Sequence, residues 1–184
     1  VFEDSPGLIS QAALRLSYPQ PHPKPIKGQT IVDRHLLLSL IRQESAFNAR
    51  AQSSAGALGL MQVLPTTAKQ YGRMKSRQVL FDPTFNLKVG SKYFSSLLRR
   101  YDDRAELALA AYNAGPSRVD QWLKRYPVED RILFLDLIPF KETRSYVACI
   151  ARNYYWYSTL YPPLEKVERL GSLFGQLAHD QKFD

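Results

Sequence analysis

From Val32 to Tyr161 the apolar residues recur three and four positions apart in one segment after another, and nowhere settle into alternation. A face that repeats every 3.6 residues is buried only by a helix, so this patterning predicts an all-α fold of helices packed on helices. The prolines mark where one helix gives way to the next. Leu36, Leu37, Leu40 and Ile41 predict a helix over 32–46. Pro65 opens a short helix over 65–71. Asp82 as cap and Pro83 at the first position begin another, carrying Leu87, Gly90, Phe94, Leu97, Leu98 and Tyr101. A helix over 103–113 stops at Gly115. Pro116 starts the next, with Val119, Trp122 and Leu123 inward. An apolar run over 129–137 ends before Pro139. The longest helix is expected over 141–160, with Tyr146, Ile150, Tyr154, Tyr157 and Tyr161 on one face, stopped by Pro162 and Pro163.

Two flanks lie outside this run. Ser5 and Pro6 suit the start of a helix over 5–17 bearing Leu8, Ile9, Ala12, Ala13 and Leu16. Pro19, Pro21, Pro23 and Pro25 then make a stiff extended connector. Beyond Pro163, Leu164, Val167, Leu170, Leu173, Phe174 and Leu177 read as an amphipathic helix despite Gly171 and Gly175. The expected divisions are an N-terminal appendage over 1–26, a main domain over 27–162 and a tail over 163–184. No internal repeat is present.

The chain has 184 residues, enough for one domain with a substantial core. The 25 Lys and Arg exceed the 17 Asp and Glu, so the formal charge is +8 and the surface favours polyanions. Nucleic acid is not expected as a partner, because no recognition element accompanies the charge. One cysteine, Cys149, excludes an internal disulfide and is read as an inert buried thiol. His22, His35 and His179 have no metal-ligand spacing, so neither metal nor cofactor is expected. No apolar run approaches the ~20 residues of a membrane span. Because it begins at Val1, the chain is expected to be a processed form or an excised piece of a longer protein.

Four segments carry residues suited to chemistry. Glu44 ends an otherwise apolar helix, where the helix dipole and any burial both raise a carboxyl pKa toward that of a general acid. Alone, such a glutamate is also an ordinary solvated helix end. Gly56-Ala57-Leu58-Gly59-Leu60-Met61-Gln62 is an irregular, nearly uncharged stretch. Glycine there permits close approach of a ligand, and Gln62 carries both donor and acceptor. Ala110-Ala111-Tyr112-Asn113-Ala114-Gly115 is a small-residue helix end with two polar side chains. Glu142 stands in the first turn of the long helix, where a carboxylate also helps simply by facing the dipole. The aromatic group Tyr154, Tyr155, Trp156, Tyr157 and Tyr161 is read chiefly as core.

In this order the four segments resemble the catalytic domain of the soluble lytic transglycosylases, the goose-lysozyme-like SLT family that cleaves peptidoglycan. The matching stretches are Arg42-Gln43-Glu44-Ser45-Ala46-Phe47-Asn48, the Gly56–Gln62 segment, Ala111-Tyr112-Asn113-Ala114-Gly115 and Ile138-Pro139-Phe140-Lys141-Glu142-Thr143-Arg144-Ser145-Tyr146-Val147, across roughly residues 32–157. The last stretch is similar to the branch whose larger members carry a ring of helices before this domain. The resemblance implies a lysozyme-like fold, with Glu44 as single catalytic acid and base. It implies that Tyr112 orients that glutamate or the substrate, and that Ser53 contacts the N-acetyl group of a sugar. Gln62 and Glu142 match groove residues that bind the glycan or its peptide. Gly59, Ala111, Asn113 and Tyr146 lie inside the matching motifs and are taken as substrate-groove positions with them. Leu64 departs from the pattern, since close members often have methionine there, which puts one subsite contact in doubt but not the chemistry. The implied partner is the peptidoglycan glycan strand. A monomer facing the bacterial periplasm or cell wall is expected, with further domains outside this chain.

One acid sets a chemical condition. Ordinary glycosidases flank the scissile bond with two carboxylates, whereas Asp33 lies about three helical turns from Glu44. A single carboxyl suffices where the substrate's acetamido group attacks its own anomeric carbon. The carboxyl then protonates the leaving oxygen and afterwards takes the proton of the sugar's 6-hydroxyl, leaving a 1,6-anhydro end. Two rivals remain at this level. One is a hydrolytic muramidase using Asp82, Asp102 or Asp103 as second acid. The other is a non-catalytic glycan-binding module of a cell-wall machine.

Overall fold

The computed structural model describes residues 11–20, 32–127 and 129–161. Among them are eight α-helices and no named strand: α1 (Gln11–Ser17), α2 (Arg34–Ser45), α3 (Pro65–Tyr71), α4 (Pro83–Arg100), α5 (Ala105–Ala114), α6 (Pro116–Arg125), α7 (Arg131–Leu137) and α8 (Lys141–Leu160). A 3-10 turn, Arg77–Phe81, precedes α4. The expected helix start at Ser5 and Pro6, most of the connector, and the tail over 163–184 lie outside the described residues.

The starts follow the expected chemistry. Asp33 accepts from the Leu36 N–H, Asp82 from Phe85 and Asp130 from Ile132 and Leu133, each satisfying orphan donors of a first turn. Pro65, Pro83 and Pro116 each occupy the first turn of a helix. α5 begins two residues later than the spacing suggests. Asp102 and Asp103 both take positive φ, 52° and 57°, and turn the chain back before Ala105.

α5 is the central element. Leu107, Ala108, Leu109, Ala110 and Ala111 are all buried, and α4, α6 and α8 pack around it. Alanines make that approach close enough for three neighbours. α2 pairs most extensively with α8, placing Leu36, Leu40 and Ile41 in the same core as Val147 and Ile150. A second cluster sits at the far end of α8. There Tyr18 meets Leu38, Tyr157 and Leu160, and the Tyr157 hydroxyl donates to the Pro19 carbonyl at 3.0 Å. Tyr157 is thus core, as read from its spacing, whereas Cys149 is only half-buried.

Candidate active site

Three helix ends and one loop converge on Glu44. The glutamate is the penultimate residue of α2, which stops as Ala46 and Phe47 enter positive φ. Residues 51–63 follow as a compact loop braced by isolated bridges from Leu58 to Gln52 and to Val63. The C-terminal end of α5 brings Tyr112, and the first turns of α8 bring Glu142 and Tyr146.

The Tyr146 hydroxyl donates to Glu44 Oε1. Burial nevertheless raises the Glu44 carboxyl to about 7, because desolvation of the charged form outweighs the phenol's hydrogen bond. At neutral pH the group is therefore shared between acid and carboxylate, the state required to give a proton and later take one. Burial, reinforced by the same carboxylate, holds the Tyr112 and Tyr146 phenols well above their ordinary range, so both remain donors.

The resemblance implies that Tyr112 orients Glu44 or the substrate; the hydroxyl that donates to Glu44 is that of Tyr146. The Tyr112 hydroxyl donates instead to the Met61 carbonyl at 2.7 Å, joining α5 to the loop. Ser45 reinforces the join from the other side, its Oγ donating to the Leu60 carbonyl at 2.7 Å. Gln62, at φ 45°, turns its amide nitrogen into the loop, toward the carbonyls of Gly59 at 2.8 Å and Ala51 at 3.2 Å. Its donors brace the loop. Ser53 Oγ accepts from the Ala57 N–H at 3.0 Å, so its hydroxyl proton is the part left to donate.

Gly59 and Ala111 are both buried. A Cβ at Gly59 would collide with the Leu80 carbonyl and the Asn86 amide. Asn113 is exposed and its Oδ1 accepts from Thr143 Oγ1 at 2.7 Å, tying the end of α5 to α8. Leu64, the residue before α3, is 41% exposed and offers apolar surface beside the loop. Glu142 is exposed one turn before Tyr146.

Asn86 is a residue the motif reading missed. It lies in the apolar stripe of α4 yet bonds three backbone groups of the surrounding loops. The one signal was a polar residue on a buried helical face, four positions before Gly90. Other acids have structural employment. Asp33, Asp82 and Asp130 cap helices, Glu106 pairs with Arg104, and Asp120 pairs with Arg100. Asp102 and Asp103 precede the N-terminus of α5, the end opposite Tyr112, about 10 Å of helix away. Among the described residues no group of three or more His, Cys, Asp or Glu is placed to hold a metal ion. Among the same residues, no helix is long and apolar enough to cross a membrane.

Comparison with known proteins agrees with this geometry. The Escherichia coli K12 protein named soluble lytic murein transglycosylase is 38% identical over 117 residues, 60% of this chain and 18% of its own. The crystal structure of a 70-kDa soluble lytic transglycosylase from Escherichia coli superposes with a TM-score of 0.74 at 30% identity, covering 80% of this chain and 25% of that one. A 70-kDa soluble lytic transglycosylase in complex with bulgecin A gives 0.76 at 30% identity, covering 82% and 26%. This all-α arrangement is thus the lysozyme-like fold of those enzymes. The chain spans between 18% and 37% of the length of the curated relatives it matches. The sequence pattern of the family described as Transglycosylase SLT domain matches residues 25–134, which hold Glu44, Ser53, Gln62 and Tyr112 and stop short of Glu142 and Tyr146. With more than half of its length inside that pattern, the chain belongs to the transglycosylase SLT domain family.

Proposed function

We propose that this chain is the catalytic domain of a lytic transglycosylase. It cleaves the β-1,4 bond between N-acetylmuramic acid and N-acetylglucosamine in peptidoglycan without consuming water. The carrying observation is Glu44, a carboxyl raised to about 7 by burial and held at Oε1 by the Tyr146 hydroxyl, where the end of α2 meets the start of α8.

Protonated Glu44 gives its proton to the glycosidic oxygen as the bond to the anomeric carbon breaks. The substrate's acetamido oxygen attacks that carbon, taking the role of the second carboxylate of an ordinary glycosidase. Glu44, now a carboxylate, removes the proton from the 6-hydroxyl. That oxygen displaces the acetamido group and closes a 1,6-anhydro ring. Glu44 is reprotonated at the end, so acid and base are one group in successive states. Tyr146 steadies the carboxylate stage by donating to it. Burial disfavours that stage, so the two influences hold the carboxyl between its tasks.

Ser53, the Gln62 amide oxygen, Leu64, Asn113 and Glu142 would line the groove that takes the glycan and its peptide. The formal charge of +8 suits a polymer whose stems carry carboxylates. The expected place of action is the bacterial periplasm or wall-facing side. Relatives several times longer are consistent with further domains beside this one.

The deciding experiment digests purified peptidoglycan with the protein and with Glu44→Gln and weighs the muropeptides by mass spectrometry. Expected are ends lighter by one water than hydrolytic ends, absent with the variant. Hydrated reducing ends would replace this reading by a muramidase. Wall binding without cleavage would replace it by a glycan-binding module.

A further inference from the structure

Asn86 has no exposed surface, an uncommon place for a carboxamide. Its bonds all go to backbone. Nδ2 donates to the carbonyls of Leu58 and Leu80, both at 2.8 Å, and Oδ1 accepts the Met61 N–H at 2.8 Å. One turn along α4 stands Gly90, where a Cβ would lie 2.5 Å from Met61 Sδ. Met61 therefore rests on bare helix backbone, with its peptide N–H gripped from the same helix. It too has no exposed surface.

The other side of this segment faces the acid. The Met61 carbonyl accepts from Tyr112, and the Leu60 carbonyl accepts from Ser45, the neighbour of Glu44. Both links from the loop to the catalytic helix ends thus belong to residues seated on α4. Ser91 of α4 also reaches Met61, its Oγ donating to Sδ at 4.0 Å, but only Asn86 holds the loop's backbone from this helix, while Val89 and Phe94 contribute apolar packing to the core.

We propose that Asn86, with Gly90 beside it, is a positioning residue for glycan cleavage: it fixes the Leu60–Met61 peptide so that Tyr112 and Glu44 keep their close, water-poor arrangement. The inference rests on the reading of Glu44 as the reacting acid. The titratable groups facing Glu44 are Tyr146 from α8 and Tyr112 from α5, with Tyr93 of α4 behind Tyr112. None carries a charge at neutral pH, so the carboxyl is governed by its burial and the Tyr146 bond. A loop released from Asn86 admits water to Glu44, and the carboxyl relaxes toward an ordinary glutamate.

The test measures Glu44 directly. Protein labelled with 13C at the glutamate carboxyls is titrated by NMR, with the Glu44 signal assigned by its loss in Glu44→Gln. Asn86→Ser shortens the side chain below its three partners, and Gly90→Ala pushes Met61 while leaving Asn86 in place. Val89→Ala weakens the same helix in the core from a side chain that packs beside Gly72 and makes none of the hydrogen bonds to the loop. The Glu44 midpoint is expected to fall by about one pH unit or more in Asn86→Ser and Gly90→Ala and to hold in Val89→Ala. Release of anhydro ends is followed from about pH 5 to about pH 9, with the alkaline limb expected to move down alongside and the rate to fall about tenfold. A folded Asn86→Ser with an unchanged midpoint overturns the inference, as does an equal shift in Val89→Ala. If Asn86→Ser does not fold, Gly90→Ala decides by the same criterion. Should the midpoints move as expected while the unmutated protein releases no anhydro ends, the positioning of Glu44 stands and the proposed activity falls.

Discussion

At Glu44 two influences oppose each other, and each can be removed separately. Tyr146→Phe deletes the hydrogen bond that lowers the carboxyl pKa and leaves the burial that raises it. The alkaline limb of activity should then move upward, to above about 7, while the rate falls about tenfold because the carboxylate stage loses its donor. A pH–rate profile on soluble glycan reads both. Glu44→Gln removes the titration itself. A carboxyl raised from 4.5 to about 7 makes the native state bind more protons than the unfolded chain across that window, so stability falls as pH rises through it. The variant should accordingly melt higher than the unmutated protein near pH 8, by roughly 1–3 kcal/mol, and lose that advantage near pH 4. Thermal melts at the two pH values test it. Glu44 was legible in the sequence because a carboxyl at the end of an apolar helix is conspicuous. Its partner was not, because Tyr146 lies 102 residues away and helical spacing within α8 says nothing about what that face meets.

At the scale of the element, most helices were legible and the loops between them were not. A capped aspartate followed by proline fixes the start of α4 through local chemistry alone. Residues 51–63 look loose in sequence because glycine and small residues give no period. In the fold they are clamped from outside by Asn86, Ser45 and Tyr112, which act across distance, and from within by the inward Gln62 amide. Two glycines separate conformation from space. Gly59 and Gly115 both have positive φ, 77° and 91°, but a Cβ at Gly115 meets nothing within 4 Å. Gly115→Ala should cost only the left-handed backbone, about 1–2 kcal/mol. Gly59→Ala adds collision with the Leu80 carbonyl and the Asn86 amide, should cost a further 1–3 kcal/mol or so, and should abolish cleavage. Urea melts order the two, and an equal cost would mean that the loop yields.

At the scale of the whole molecule, the same charge chemistry holds two places with very different consequences. Arg100 and Asp120 join α4 to α6 at 2.6 Å, but their side chains are 52% and 34% exposed. Water already solvates both, so Asp120→Asn should change stability by less than about 1 kcal/mol, less still in salt, and leave cleavage intact. Glu106 is different. It stands in the first turn of α5 with no exposed surface, 2.7 Å from Arg104 Nε and 3.8 Å from Arg131 Nε at the start of α7. Periodicity placed residue 106 on a helix but could not foretell this burial, because α5 is covered on nearly every side and its polar face has no water to meet. A carboxylate there is held by two guanidiniums and by the helix dipole. Removing its charge leaves Arg104, only 22% exposed, facing an uncharged partner in a place where solvent cannot replace it. Glu106→Gln should therefore cost about 3 kcal/mol and loosen α7 from α5. Hydrogen exchange should report faster opening of Arg131–Leu137 than of α2, since α7 is anchored by Arg131 on Glu106 and by one buried side chain, Phe134, while α2 is held along the length of α8. If α2 and α7 open together, Glu106 supports the core as a whole and is not a local tether.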